Sequence, residues 1–181
     1  DRGAATVAFL NPGGIRADLK TSDISAAGEA PGEVTYGEAF TVQPFGNNLV
    51  TKTLTGAQIR TVLQQQFAGC HGQKTTRILQ ISHTLRYRKA LQPLPAAPTQ
   101  AECAAAIGEI DLGGRPVVDT DPYRVTMNSF LASGGDGFTV LAQGTDPLGG
   151  GQDLDALVQA LQEAEPDGLA VPDLDRILPL P

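Results

Sequence analysis

Three short segments carry side chains that could recognise a small polar ligand, and each interrupts an ordinary run of structure. The first is NPGGIR, residues 11–16, which ends the apolar run TVAFL. Gly13 and Gly14 would let backbone amides approach a ligand or adopt positive φ angles. Arg16 would offer a planar set of donors beside them. The segment is therefore either a tight turn or a ligand cradle, and its residues alone leave both interpretations open.

The other two segments place aromatic rings and a carboxylate in loops. In VQPFGNN, residues 42–48, Phe45 stands between a proline and a glycine, so it either caps the core or belongs to a site. In NSFLASGGDGF, residues 128–138, Phe130 sits at the end of a strand and Asp136 lies among glycines. In a tight corner Asp136 could bind its own backbone. A calcium loop is disfavoured because the alternating oxygen ligands of such loops are missing.

Together these residue types match what a nucleoside requires. Phe45 and Phe130 could stack on both faces of a flat base, at about 1–3 kcal/mol per contact. Asp136 could accept both hydroxyls of a ribose, and the amide of Asn11 could read a base edge because it both donates and accepts. Arg16 would supply the positive partner for a phosphate. The three segments therefore predict a nucleoside site.

The elements that must position this site alternate irregularly between strands and helices. Continuous or alternating hydrophobicity predicts strands at 6–10, 48–55, 77–82, 83–90, 123–131 and, with a turn at Gly113-Gly114, within 107–118. Amphipathic spacing predicts helices at 36–43, 57–68 and 153–164. The mixture predicts an α/β (α+β) fold in which a mixed β-sheet is layered with helices.

Finer expectations concern how these elements begin, end and pack. Thr55 and Gln58 have the spacing of a helix capping box, and the two strands of 77–90 are expected to form a hairpin around Ser82. The Pro-rich stretch 90–102 is predicted to be a surface loop, and 172–181 a terminal strand or extended segment. The last helix is expected to bury one stripe, made of Leu154, Leu157, Val158 and Leu161.

Composition narrows the class of protein. The 181 residues, 41% hydrophobic and 18% charged, fit one soluble domain spanning 1–181. A net charge of −7 argues against nucleic-acid binding, and no apolar run approaches the roughly 18–20 residues of a membrane span. RYRK, residues 86–89, is either a solvated strand face or a small anion site. Because the chain starts at Asp1 without a methionine, we interpret it as a fragment or mature piece.

The two cysteines, Cys70 and Cys103, allow either a disulfide or two buried thiols. In an exported protein, a bridge across this loop of about 30 residues could contribute about 3–4 kcal/mol. In a cytosolic protein, separate thiols are expected. We favour the bridge. Zinc is disfavoured because His71, next to Cys70, has no second Cys or His at ligand spacing.

Three longer stretches also resemble a known family. NPGGIRADL, YGEAFTVQPFGNNLVTKTLTGAQIRTVLQQ and YRVTMNSFLASGGDGFTVL are similar, in order and spacing, to the C-terminal domain of the 5'-nucleotidase family. That family includes UDP-sugar hydrolases, ecto-5'-nucleotidases and 2',3'-cyclic-nucleotide phosphodiesterases. The resemblance implies base recognition by Asn11, a substrate contact by Arg16, base stacking by Phe45 and Phe130, and ribose binding by Asp136. The remaining motif positions implied in substrate binding are Gly13, Gly14, Asn128, Gly134 and Gly135.

The resemblance further implies a partner domain in the same polypeptide. Family members carry an N-terminal metallophosphatase domain whose two divalent metal ions activate water for attack on phosphate. This chain has only His71 and His83, so no metal site, cofactor or catalytic residue is expected within it. The family domain also begins earlier, with a helix that carries another substrate arginine, and we expect that helix to be missing here.

The implied function is therefore that of a substrate-specificity domain, which binds the nucleoside part of a nucleotide substrate and is inactive in isolation. Family habit and the cysteine pair imply a secreted, periplasmic or cell-surface location. Two alternatives remain open from the sequence. One is a non-catalytic nucleotide-binding or cell-surface module that keeps the fold, and the other is a purely structural domain.

Overall fold

A computed structural model describes residues 3–22, 24, 28–164, 167–170 and 172–181. The strands are β1 Val7–Leu10, β2 Asn48–Thr55, β3 Gln80–Ile81, β4 Leu85–Lys89, β5 Ile107–Leu112, β6 Arg115–Pro116, β7 Pro122–Asn128, β8 Thr145–Gln152 and β9 Ile177–Pro179. The α-helices are α1 Tyr36–Val42, α2 Gly56–Gln64, α3 Gln100–Ala105, α4 Ser129–Ala132 and α5 Asp153–Glu163. Short 3-10 turns lie at Pro12–Gly14, Cys70–Gly72, Gly135–Gly137 and Thr139–Gln143.

The strands form two mixed sheets rather than the one that was expected. The first has the order β3-β1-β7-β2-β8, and the second has the order β6-β5-β4-β9. Each contains one parallel pair, β1 with β7 in the first sheet and β4 with β9 in the second. The predicted α/β class with mixed pairing is therefore confirmed.

The predicted hairpin around Ser82 is wrong, because its two strands belong to different sheets. β3 pairs with β1, and Ser82 extends this contact by donating its backbone N–H to Ala8 O at 3.1 Å. The chain then crosses over, and β4 pairs with β5 and β9. The crossing buries Leu85 and Tyr87 in the core. On the opposite face of β4, Arg86 is exposed and forms an ion pair with Asp175, as a solvated strand face requires.

Local capping explains where the helices begin. The predicted capping box at Thr55 and Gln58 is present at the start of α2. A second box, between Thr99 and Glu102, starts α3 inside the stretch that was predicted to be a loop up to residue 102. There the Thr99 hydroxyl accepts from the Glu102 backbone N–H while the Glu102 carboxylate accepts from the Thr99 N–H. These two bonds satisfy two backbone N–H groups at the start of the helix that have no partner within it.

Two strands also depart from expectation. The strand predicted for 123–131 ends at Asn128, because the Asn128 side chain accepts from the Leu131 backbone N–H and caps α4. β8 was not predicted: every one of its residues is exposed, so it has no hydrophobic alternation. Its pairing with β2 supplies its stability instead.

The core lies between α2 and the two sheets, and a buried disulfide is part of it. Cys70 and Cys103 are bonded, with Cα atoms 5.7 Å apart, and link the turn after α2 to α3. The core includes Val7, Phe9, Val125 and Met127 from the central strands of the first sheet.

The other face of that sheet is only partly covered. Between the sheet and α5 runs a groove of about 310 Å³, lined on the sheet side by Ala8, Leu10 and Thr126 and on the helix side by Leu157. Of the stripe predicted to be buried on α5, only Leu154 is fully buried, whereas Leu157, Val158 and Leu161 are partly buried. Across the described residues, no helix is both long and apolar enough to cross a membrane.

Candidate functional site

The three predicted segments meet at one edge of the first sheet. β1 and β7 are parallel neighbours, so Asn11, directly after β1, and Asn128, the last residue of β7, come to the same edge. β2 runs antiparallel to β7, with Leu49 opposite Asn128, so the 44–47 loop before β2 arrives there as well. Sheet topology alone therefore brings loops that are distant in sequence together.

A chain of amide hydrogen bonds joins two of these segments. The Leu131 backbone N–H donates to Asn128 Oδ1 at 2.8 Å, and Asn128 Nδ2 donates to Asn11 Oδ1 at 3.0 Å. Asn11 Nδ2 in turn donates to Asp136 Oδ2 at 2.9 Å. Asn11 is 5% exposed and Asn128 is also buried, so these bonds satisfy amides that burial would otherwise penalise. We call this chain the amide relay.

Asp136 occupies a strained corner that is held from several sides. Its backbone is in the left-handed region, with φ 55° and ψ 17°, between Gly135 and Gly137 in the turn that Gly134 precedes. Gln73 Nε2 donates to the Asp136 backbone oxygen at 2.9 Å. The Nε atom of Arg77 lies 3.4 Å from Asp136 Oδ1. The carboxylate thus contacts Asn11 and Arg77, two groups far from it in sequence.

Arg16 and Phe45 form a contact of their own. The guanidinium carbon of Arg16 lies 4.8 Å from the centroid of the Phe45 ring, a cation–π arrangement worth about 0.5–1 kcal/mol at an exposed site. The Arg16 backbone N–H also donates to Val42 O at 2.9 Å. The Phe45 side chain is 49% exposed, so it does not serve as a buried cap on the core.

Phe130 is exposed to a similar extent, at 45%, and its ring rests against Gly135. A Cβ atom placed on Gly135 would lie 2.6 Å from two ring carbons of Phe130, so the close approach requires glycine. The loop of Phe45 and the short helix α4, which carries Phe130, are joined where Ser129 Oγ donates to Asn47 Oδ1 at 3.4 Å. Both rings are thus half-exposed on neighbouring segments.

Gly13 and Gly14 lie inside the 3-10 turn, where Gly14 is buried and its N–H donates to Asn11 O. An added Cβ on Gly14 would lie 3.1 Å from Asn11 Oδ1, so this glycine makes room for the relay. NPGGIR is therefore a tight turn, and that turn presents Asn11 to Asp136. Its predicted role as a ligand cradle stays a prediction.

Sequence reasoning missed Gln73, which binds the Asp136 backbone oxygen, and Arg77, which faces Asp136 Oδ1. Neither stands in one of the three singled-out segments, and no spacing relates them to Asp136. Among the described residues, no group of three or more His, Cys, Asp or Glu side chains is placed to hold a metal ion.

Comparisons with known proteins agree with this architecture. The profile of the family described as "5'-nucleotidase, C-terminal domain" matches residues 1–143. The cell wall protein Lmo0130 of Listeria monocytogenes is 36% identical over 132 residues, which cover 73% of this chain and 15% of that protein. The trifunctional nucleotide phosphoesterase protein YfkN of Bacillus subtilis is 32% identical over 153 residues, covering 83% of this chain and 9% of that protein.

A solved structure extends the similarity to the whole fold. The 5'-nucleotidase precursor from Thermus thermophilus superposes with a TM-score of 0.75 and 30% identity, covering 99% of this chain and 32% of that one. Of these three relatives, this chain spans at most 32% of the length. Because the family profile covers most of the chain and the motifs meet at one sheet edge, the chain belongs to the 5'-nucleotidase family and corresponds to its C-terminal domain.

Proposed function

We propose that this chain is the substrate-specificity domain of a metal-dependent nucleotide hydrolase and that it binds the nucleoside part of the substrate. The observation that carries the proposal is the meeting of two half-exposed phenylalanines and a braced carboxylate at one edge of the sheet. Phe45 and Phe130 would stack on the two faces of the base. Because Arg16 lies over the Phe45 ring, the base would take the ring face that Arg16 leaves free.

Asp136 would accept hydrogen bonds from the ribose hydroxyls. Asn11 already uses one lone pair of its oxygen and one N–H in the amide relay, so any contact with the base edge would use the second Nδ2 hydrogen or the second lone pair of Oδ1. The main role of Asn11 and Asn128 would then be to aim Asp136, with the base selected mostly by stacking. Such a site would tolerate several bases.

Catalysis would belong to an N-terminal metallophosphatase domain of the same polypeptide. In that domain two divalent metal ions would activate water for attack on the phosphate ester. Both ions would then lie outside this chain. A hinge motion between the domains would carry the bound nucleotide to the metals.

A helix that precedes this chain would cover the open groove of the first sheet. The partly buried Leu157 and the apolar lining from Ala8 and Leu10 favour an apolar occupant.

The binding proposal is tested by titrating AMP, adenosine and UDP-glucose against the purified chain by calorimetry. Phe45→Ala or Phe130→Ala should weaken binding by about fivefold or more, because each removes one stacking contact. Phe40→Ala is the matched control, since Phe40 is 48% exposed but lies on α1. Unchanged titrations in both site variants would refute stacking. Metal-dependent release of phosphate from AMP by this chain alone would refute the assignment of catalysis to a separate domain.

A second candidate function is a non-catalytic nucleotide-binding module at the cell surface. The similarity to the Listeria cell wall protein and the Cys70–Cys103 disulfide favour an extracellular location. A full-length protein that binds AMP but releases no phosphate with Mg²⁺, Mn²⁺ or Zn²⁺ would favour this module over the hydrolase.

A further inference from the structure

Arg77 is the charged residue closest to the carboxylate of Asp136, and it lies outside the family motifs. It stands three residues before β3, where its backbone N–H donates to Gln66 O at 2.8 Å. This bond fixes the base of the side chain against the end of α2. From there Nε reaches to 3.4 Å from Asp136 Oδ1.

The two oxygens of Asp136 are therefore held by different parts of the molecule. Oδ2 accepts from Asn11 at 2.9 Å, while Oδ1 faces Arg77. A carboxylate restrained at both oxygens cannot rotate about its terminal bond without losing one partner. Gln73 adds a third restraint by binding the Asp136 backbone oxygen.

The restrained carboxylate of Asp136 can still accept hydrogen bonds from a ligand. A carboxylate offers about four lone-pair positions. Asn11 uses one on Oδ2, while Arg77 faces Oδ1 as an ion-pair partner with its Nε 3.4 Å away. Each oxygen thus keeps a lone pair for a ligand, which is what two adjacent hydroxyls on one sugar ring require. The side chain of Asp136 is one-fifth exposed, so those positions have access to solvent.

We infer that Arg77 is a positioning residue that makes this site selective for a vicinal diol, as in an unmodified ribose. The inference rests on the proposed function, because it assigns Asp136 to the sugar. Arg77 acts through Asp136 rather than by touching the ligand. It sets the orientation in which the carboxylate meets the two hydroxyls.

The exposure of Arg77 makes the idea testable without unfolding the protein. Its side chain is 33% exposed, and ion pairs of this exposure contribute little to stability. Arg77→Met keeps the aliphatic stem and removes the charge, while Arg77→Lys keeps the charge and removes the planar donor geometry. Arg86→Met is a matched control, because it breaks the Arg86–Asp175 ion pair on the second sheet.

The experiment titrates adenosine and 2',3'-dideoxyadenosine against the wild-type chain and the three variants. The wild-type chain should prefer adenosine. Arg77→Met should weaken adenosine binding about fivefold, the upper range for a partly exposed ion pair, with much less effect on dideoxyadenosine. Arg77→Lys should recover part of the preference, and Arg86→Met should change neither affinity.

Other outcomes separate the hypotheses. If Arg77→Met weakens both ligands equally, or neither, the positioning role is wrong although stacking stands. If the wild-type chain binds both nucleosides equally, Asp136 does not contact the hydroxyls, and the ribose assignment fails together with this inference while base stacking stands. If adenosine 3'-phosphate loses far more affinity than adenosine in Arg77→Met, Arg77 binds phosphate directly and positioning is again wrong. If the wild-type chain binds no nucleoside, the proposed function and this inference fail together.

Discussion

Gln73 connects the strained corner at Asp136 to the core, and its replacement should destabilise the whole domain. The side chain is 3% exposed. Its Nε2 donates to Gln65 O at 2.8 Å and Asp136 O at 2.9 Å, while Oε1 accepts from the backbone N–H groups of Lys74 and Thr75. Gln73→Met has a similar volume and can make none of these bonds.

The magnitude follows from the groups left without partners. Lys74 and Thr75 are exposed, so their N–H groups can turn to water, whereas Gln65 O is buried and Asp136 O is partly buried. An unsatisfied buried acceptor costs about 1–3 kcal/mol. Gln73→Met should therefore lower the free energy of unfolding by about 2–4 kcal/mol. For a chain of this length, that lowers Tm by about 5–15 °C.

Urea unfolding followed by circular dichroism measures this change, with Gln64→Met as the control. Gln64 is also buried, but its oxygen contacts His71 Nε2 at 2.7 Å and makes no contact with the corner. A loss in Gln73→Met below about 1 kcal/mol, the net value of one ordinary hydrogen bond, would refute the reasoning. A loss no larger than that of Gln64→Met would do the same.

Two further predictions concern the disulfide and a buried tyrosine. Replacing both Cys70 and Cys103 by serine should lower the free energy of unfolding by about 3–4 kcal/mol, because the bridge closes a loop with a sequence separation of 33; equal stability of the wild-type chain with and without reductant would contradict this. Burial raises the pKa of Tyr87 to about 12, an effect only partly offset by its hydrogen bond with Gln66. Because the folded state keeps the proton more tightly than the unfolded state does, stability from Tyr87 should be complete below pH 10 and fall as the pH rises towards 12. Urea unfolding between pH 9 and about 11.5, with Tyr87→Phe as the reference, should show this extra loss in the wild-type chain only.

Much of the fold could be predicted from local patterns in the sequence. The strand at 6–10, the capping box at Thr55 and the turn at Gly113-Gly114 were predictable because neighbouring residues determine them. The segments of the candidate site could also be singled out, since Phe45 and Asp136 lie in stretches rich in proline and glycine. Their convergence depends on strand order, which the local pattern does not encode.

The misses have a common physical cause. β8 buries nothing, so its stability comes from β2 and leaves no periodic signal in TDPLGGGQ. The hairpin predicted around Ser82 does not form, because β3 pairs with β1 in the first sheet and β4 pairs with β5 in the second. Gln73 and Arg77 contact Asp136 only through tertiary structure. In each case a long-range contact decided the outcome.

The amide relay has a direction, and that direction determines which residue can end it. The Leu131 backbone N–H can only donate, so Asn128 must turn its Oδ1 towards Leu131 and its Nδ2 towards Asn11. Asn11 must then turn its Oδ1 towards Asn128 and its own Nδ2 away from it. The relay must deliver an N–H at its far end, where only an acceptor fits. One backbone N–H in α4 thus determines that the residue at the far end of the relay must be an acceptor. Replacing Asn11 or Asn128 by aspartate would break the relay, because two acceptors would then face each other.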